Sequence, residues 1–216
     1  VNVPLLHVIV TDEVADSPEF PENAEALLAA GRDRLALHLR LKRASGWDFH
    51  SLAVRLGHAA AGSGAWIVIN GRVDVALTSG ARAVQLGSGA LPVRAVRRLA
   101  GRAFAIGASV HSAQEARQRV SEGADYLVVG SVFRTATHPD LDPAGVGLVA
   151  SCAAVGVPVV GVGGIEASNA RQVIAAGAAG IAVIRSVWRE PSPVDAALGL
   201  IERVAAVQNQ EDAGEC

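Results

Sequence analysis

The feature that most constrains this chain is an alternation. Apolar runs of four to seven residues, each followed by a longer connecting segment, recur about eight times without a break in composition. The runs are "LLHVIV" (5–10), "LALHLRL" (35–41), "AWIVIN" (65–70), "AVQL" (83–86), "FAIGAS" (104–109), "DYLVVG" (125–130), "VPVVGV" (157–162) and "GIAVI" (180–184). Each is short and β-rich, as a buried parallel strand is. The segments between them include "DFHSLAVRLGHAAAG", "LPVRAVRRLA", "SAQEARQRVSEG", "PAGVGLVASCAAVG", "ASNARQVIAAG" and "SPVDAALGLIERVAAV", whose apolar residues recur at helical spacing. An α/β chain of this kind is expected to close as a single (β/α)8 TIM barrel over residues 1–206. A doubly wound open sheet is the alternative. The last ten residues, 207–216, are polar and aperiodic and are expected to be a disordered tail.

Punctuation fits the same plan. Ser112 and Glu115 form an S-x-x-E capping box, Ser168 precedes a further helix, and Pro92 and Pro193 stand near helix starts. Gly123 and Gly177 are placed to end helices. Half of the 216 residues are hydrophobic but only 4% are aromatic, so the core must be built from Val, Ile, Leu and Ala. A net charge of −2 gives no electrostatic footprint for nucleic acid. Cys152 and Cys216 do not make a disulfide framework, and neither a basic leader nor a membrane-length apolar run is evident. A cytoplasmic protein without a membrane or nucleic-acid partner is the expectation. The oligomeric state is left open, a homodimer included.

In a barrel the chemistry gathers where the strands end. The stretch "LALHLRLK" (35–42) alternates strictly, with Leu35, Leu37, Leu39 and Leu41 on one face and Ala36, His38, Arg40 and Lys42 on the other. The leucines belong under the helices, and the cationic face lines the barrel toward its mouth. The polar residues that finish the other strands converge there: Asn70, Gln85, Ser109, His111, Thr135, Thr137, His138, Gly163, Gly164, Arg185 and Ser186. Gly163 and Gly164 sit where backbone N–H groups approach an anion closely, and with the segment at Arg185 and Ser186 they occupy the seventh and eighth strand positions at which barrels bind phosphate. A tight turn is the simpler reading of two glycines. Arg40 and Lys42 suit a second anion such as a carboxylate, or else form a solvated strand end.

His111 follows the fifth strand, two residues after Ser109, and can serve as a general acid–base or as a structural histidine. Asp12, Asp74 and Asp140 are scattered, and His/Cys spacing suited to zinc is absent. Metal-free and cofactor-free proton transfer is therefore the expected chemistry. The segment "FRTATHPDLDPAG" is a lid or a plain connector.

Several stretches, in order over residues 5 to 205, resemble the thiamine phosphate synthase/TenI superfamily: "HVIVTDE", "LHLRLK", "INGRVDVAL", "AVQLGSGALP", "IGASVHSAQEA", "GADYLVVGSVFRTAT", "VPVVGVGGI" and "GIAVI". The family fold is a (β/α)8 barrel. Its synthase branch joins a pyrimidine pyrophosphate to thiazole phosphate and uses Mg²⁺, which implies an Asp where this chain has Gly71 and another after the run that here reads Gln85-Leu86-Gly87-Ser88-Gly89. His38 and Leu41 replace the usual Gln and Glu of the second strand, and His138 replaces a common Lys.

The substitutions resemble instead the TenI-type thiazole tautomerases, with their Asn-Gly-Arg-Val-Asp, Val-Gln-Leu and Ser-Val-His-Ser patterns. Those enzymes convert a non-aromatic carboxythiazole phosphate to its aromatic tautomer in thiamine biosynthesis. The resemblance implies that His111 is the acid–base and that the partner is a phosphorylated thiazole. Phosphate is then expected at Gly163, Gly164, Arg185 and Ser186, the carboxylate at Arg40 and Lys42, and the ring against Asn70, Ser109 and Thr135. His38, Gln85, Thr137 and His138 would shape the pocket. Arg185 departs from the usual Ser. A divergent synthase or a non-catalytic thiazole or thiamine phosphate binder are the alternative readings.

Overall fold

Period-two alternation in a parallel strand gives each strand two buried faces once helices cover the outside. In the computed structural model, which describes residues 1–135 and 142–214, this rule builds a closed barrel. Its strands are β1 (Leu6–Thr11), β2 (Leu35–Arg40), β3 (Trp66–Asn70), β4 (Ala83–Leu86), β5 (Ala105–Val110), β6 (Tyr126–Val129), β7 (Val159–Val162) and β8 (Gly180–Val183). They pair in chain order, all parallel, and β8 returns to β1. The single (β/α)8 TIM barrel expected from the alternation is the fold, and the open-sheet alternative is excluded by that closing pair.

The helices are α1 (Asp12–Ala15), α2 (Phe20–Gly31), α3 (Gly46–Ala61), α4 (Val73–Thr78), α5 (Val93–Ala100), α6 (Ala113–Ser121), α7 (Gly145–Ala153), α8 (Ala170–Ala175), α9 (Arg185–Trp188) and α10 (Pro193–Gly214). Periodicity left α1, α2, α4 and α9 unassigned. Three of them are too short to show a period, whereas α2 carries its apolar stripe at Phe20, Ala24, Leu27 and Leu28. Ser112 caps α6 as expected, its Oγ accepting from the Glu115 amide while the Glu115 carboxylate accepts from the His111 amide. Ser168 does not cap α8. Asn169 takes the N-cap position, and its side chain braces the preceding loop by accepting from the Glu166 amide and donating to the Gly164 carbonyl.

The expected disordered tail is corrected over most of its length. Helix α10 continues through residue 214, because Val207 is still buried and Gln208 donates to the Ala179 carbonyl at 3.1 Å. No helix among the described residues is long and apolar enough to cross a membrane.

Two cores result. The outer one, between strands and helices, takes Leu35, Leu37 and Leu39 from β2. The inner one fills the barrel with Ile9, Ala36, Trp66, Val68, Ala83, Ala105, Tyr126, Val128, Val160 and Ala182. Four of these are alanines, and Trp66 and Tyr126 are the two largest side chains in the interior. The end of the barrel away from the strand C-termini is stitched by Arg97 of α5. Its guanidinium donates to the carbonyls of Gly101, Phe104 and Gly123 and pairs with Asp125, whose carboxylate also accepts from the Ile106 amide at 2.7 Å.

Removing Arg97 strands a half-buried carboxylate and three carbonyls at once. Arg97→Leu is expected to cost roughly 2–4 kcal/mol of stability, read as a lower urea midpoint, because the partners of a broken buried pair stay unsatisfied. Ligand affinity at the opposite end should be unchanged.

Candidate active site

Along each strand, the inward positions nearest the C-terminal end carry the polar groups. On β1 this is Thr11, with His7 deeper in the barrel; on β2, His38 and Arg40; on β3, Asn70; on β4, Gln85; on β5, Ser109. The cation ladder read from "LALHLRLK" therefore has its upper rungs inside. Lys42 is the exception. Strand β2 ends at Arg40, and Lys42 lies exposed in the following loop, whose amides at Lys42 and Arg43 donate to the Asp12 carboxylate at 3.0 Å each.

These side chains open into one cavity at the C-terminal mouth, of about 1810 Å³. It is lined by Arg40, Lys42, Asn70, Gln85, Ser109, His111, Thr135, Gly163, Gly164, Arg185 and Ser186, and His38 forms part of its floor. Every candidate from the sequence that falls among the described residues is thus gathered there; Thr137 and His138 lie outside those residues. The volume exceeds that of a pocket for a small ligand, so a compact substrate fills only the part over the barrel axis.

His111 has its tautomer set by a neighbour. Nδ1 lies 2.6 Å from the Gly130 carbonyl oxygen, which can only accept, so Nδ1 carries the proton and Nε2 keeps a lone pair. Ser109 accepts from Gln85 Nε2 at 3.0 Å. The glycine pair has a packing role as well as any ligand role. Gly163 and Gly164 adopt φ of 104° and 63°, and a Cβ would stand 2.8 Å from Ser131 Cα or 2.5 Å from the Arg134 carbonyl oxygen. Ser186 Oγ donates to the Ile165 carbonyl at 2.7 Å, so its proton is not directed at the cavity. Among the described residues, neither Arg40 nor Lys42 forms an ion pair, whereas Arg43 binds Asp16 and approaches Asp12.

The sequence reading missed Thr11, Gly130 and Ser131, which also line the cavity. Thr11 was detectable from the alternation of β1; Gly130 acts through a backbone carbonyl, which leaves no mark in the side-chain pattern. His7, inside the first apolar run, is a further residue the pattern did not single out. It is fully buried, and its Nδ1 lies 2.7 Å from His38 Nε2 while its Nε2 lies 3.1 Å from the Pro4 carbonyl. His38 Nδ1 in turn stands 3.2 Å from Asn70 Oδ1. Burial holds both imidazoles neutral. It pushes His38 down to about 4 against the opposing Asn70 contact. It pushes His7 well below its ordinary value, with added repulsion from His38.

The donor set does not fit Mg²⁺. Among the described residues no three of His, Cys, Asp or Glu come together as a metal cluster. Gly71 offers no ligand, Asp74 is paired bidentately with Arg72, and Asp12 is occupied by the Lys42 and Arg43 amides.

A closed barrel with a histidine and two cations at its C-terminal mouth, neither cation ion-paired among the described residues, is the frame of a (β/α)8 enzyme. The profile of the family described as thiamine monophosphate synthase matches residues 7–187, and the chain belongs to this family. It is 41% identical over 203 residues to a thiamine-phosphate synthase of Methanoculleus marisnigri, covering 93% of this chain and 95% of that protein. A thiamine-phosphate synthase of Methanoregula boonei is 39% identical over 207 residues, with 95% of each chain covered. Among solved structures, thiamine phosphate pyrophosphorylase from Pyrococcus furiosus superposes with a TM-score of 0.83 at 34% identity, covering 95% of this chain and 98% of that one. A 3-hexulose-6-phosphate synthase, at TM-score 0.69 and 18% identity, shares the fold alone.

The buried histidines predict a pH dependence with a definite sign. Their folded pKa values lie below the unfolded value, so the unfolded chain takes up protons first and stability falls as pH drops below about 6.5. For His38 the loss continues to about 4, where the folded state also protonates. The slope should approach about 1.4 kcal/mol per pH unit for each histidine. Urea unfolding at pH 7, 6 and 5 measures it, and His38→Gln should make it shallower.

Proposed function

We propose that this chain is a thiazole tautomerase, isomerising a non-aromatic carboxythiazole phosphate to the aromatic carboxythiazole phosphate of thiamine biosynthesis. The observation that carries the proposal is the state of His111: tied through Nδ1–H to the Gly130 carbonyl, its neutral ring offers Nε2 as a base in a cavity where no three potential metal ligands come together among the described residues. Nε2 takes the proton from the ring carbon bearing the carboxylate. The electron pair moves through the ring toward the exocyclic carbon, which receives the same proton from Nε2–H. No atom or electron is gained or lost. Protonation of Nε2 strengthens the Nδ1–H bond to Gly130, so the intermediate imidazolium is stabilised where it forms.

The remaining residues take positions by charge. Arg40 and Lys42 meet the carboxylate. The backbone at Gly163, Gly164 and the start of α9 meets the phosphate, with Arg185 beside it; Ser186 contributes through its backbone, because its hydroxyl proton serves Ile165. Asn70, Ser109 and Thr135 contact the ring.

A second reading has a specific observation behind it. The relatives at 41% and 39% identity are named thiamine-phosphate synthase, which favours Mg²⁺-dependent coupling of a pyrimidine pyrophosphate with thiazole phosphate. The missing metal carboxylates weigh against it.

His111→Asn should lower tautomerisation by a factor on the order of 10²–10⁴ while leaving phosphate-ligand affinity nearly intact. The assay follows aromatic product after subtraction of the spontaneous rate, because aromatisation is downhill. Wild-type turnover in this variant would overturn the assignment of His111. Chelation of divalent metal should leave tautomerisation unchanged; Mg²⁺-dependent formation of the coupled product would establish the synthase reading instead.

A further inference from the structure

Two buried chains of polar side chains run up the barrel interior and surface next to each other on the cavity floor. The first is Pro4–His7–His38–Asn70. Its direction is set at the bottom. The Pro4 carbonyl can only accept, so His7 carries its proton on Nε2 and has a lone pair on Nδ1. Neutral His38 must then donate from Nε2 to His7, which leaves the His38 Nδ1 lone pair facing Asn70. The opposite direction would set the His7 Nε2 lone pair against the Pro4 oxygen in a site with no exposure. The structure places Asn70 Oδ1 at 3.2 Å from His38 Nδ1; this hydrogen-bond direction calls for a half-turn of the amide, which brings Nδ2 to His38 as the donor and turns Oδ1 to the cavity.

The second is Gln85–Ser109, with Tyr126 packed against the same space as Gln85. Gln85 Oε1 and the Tyr126 hydroxyl are both buried without a hydrogen-bond partner. Both side chains crowd the same space, since a Cβ on Gly107 would overlap Gln85 Oε1 and Tyr126 Cζ. The two atoms do not bond in the structure, but the phenol is a donor beside an acceptor, and a small closure between the side chains would pair them and hold the amide with Nε2 on Ser109, the contact observed at 3.0 Å. Ser109 Oγ therefore accepts from below, and its proton is free to point upward. Asn70 and Gln85 are paired across β3 and β4, so Asn70 stands beside the donor to Ser109, and both Asn70 and Ser109 line the cavity.

We propose that these chains write a fixed acceptor–donor pair into the cavity floor, Asn70 Oδ1 beside the Ser109 hydroxyl, which reads the uncharged ring of the ligand. The ring nitrogen accepts from Ser109, and the Asn70 oxygen keeps the anionic groups away from β3. The carboxylate is thereby confined to the side of Arg40 and Lys42. The ligand's identity as a thiazole rests on the function proposed above, but the polarity of the floor does not. A donor on the ring nitrogen also draws electron density from the adjacent carbon and favours loss of its proton. Tyr126, His7 and His38 are positioning residues.

The test compares two ligands by titration calorimetry: carboxythiazole phosphate and its thiophene counterpart, with CH in place of the ring nitrogen. Wild-type protein should prefer the thiazole by on the order of tenfold, because the thiophene leaves the Ser109 donor unpaired. Ser109→Ala should bring the ratio to about one. Tyr126→Phe, which does not touch the cavity, should also lower the ratio, whereas a purely structural loss would weaken both ligands equally. Equal affinities in the wild-type protein would overturn the proposal, even with tautomerase turnover intact. Loss of turnover with the preference retained would count against the proposed function alone. Nitrogen-15 spectra of the two imidazoles test the other chain. Protonation at Nε2 on both is expected, and an Nδ1 proton on His38 would refute the Asn70 orientation.

Discussion

The interior of a closed eight-stranded barrel has no access to bulk water except at its mouth, and that constraint orders the rest of this molecule. Any polar group placed on an inward face must find its partner inside, at a cost of about 1–3 kcal/mol if it fails. Here the inward faces of β1 to β6 carry His7, His38, Asn70, Gln85, Ser109 and Tyr126. The histidines meet the requirement as a connected chain with a direction. A polar interior of this kind specifies the orientation of the groups that emerge from it, which a purely apolar interior would leave free. Small neighbours make it feasible: Ala36, Ala83 and Ala105 on adjacent strands leave room for imidazole rings, and Gly107 leaves room for Gln85 and Tyr126.

The two ends of the barrel divide stability from chemistry. At one end Arg97 gathers three carbonyls and the Asp125 carboxylate, while Arg82 lies over the Trp66 ring at 5.3 Å. At the other, Arg40 and Lys42 remain without ion-pair partners among the described residues, and the glycine turn of the β7 loop is held by Asn169. Cations left unpaired beside a cavity are poised for an anion, whereas paired ones hold structure. The family assignment and the residue chemistry pull in different directions on one point only. Relatives named as synthases share about two-fifths of the sequence, yet of the two carboxylates that the resemblance implies for Mg²⁺, one position is Gly71 and the other, after the 85–89 run, offers no Asp.

Much of this was legible beforehand. The strand boundaries fall within about two residues of the apolar runs because buried parallel strands are short, and the alternation of "LALHLRLK" sorted Leu35, Leu37 and Leu39 from Ala36, His38 and Arg40 correctly. The converging strand ends supplied a candidate set whose described members all line one cavity. What escaped the sequence acts through the backbone or over distance. Gly130 serves His111 by a carbonyl, Lys42 leaves the strand because the Asp12 carboxylate captures its amide, and helix α10 outlasts its own periodicity because Gln208 finds a carbonyl on the barrel.

The sequence by itself determined the repeat, the closed barrel it implies, the absence of the metal carboxylates and the identity of the histidine at the end of β5. Those are matters of residue type and spacing, which local propensity and periodicity express directly. Only the tertiary structure decided that His7 and His38 touch across 31 residues, that His7 meets the Pro4 carbonyl, and that Gln85 donates to Ser109. The physical reason is that hydrogen-bond direction depends on which atom faces which. That is fixed by strand register and by burial at the axis, neither of which any single segment contains.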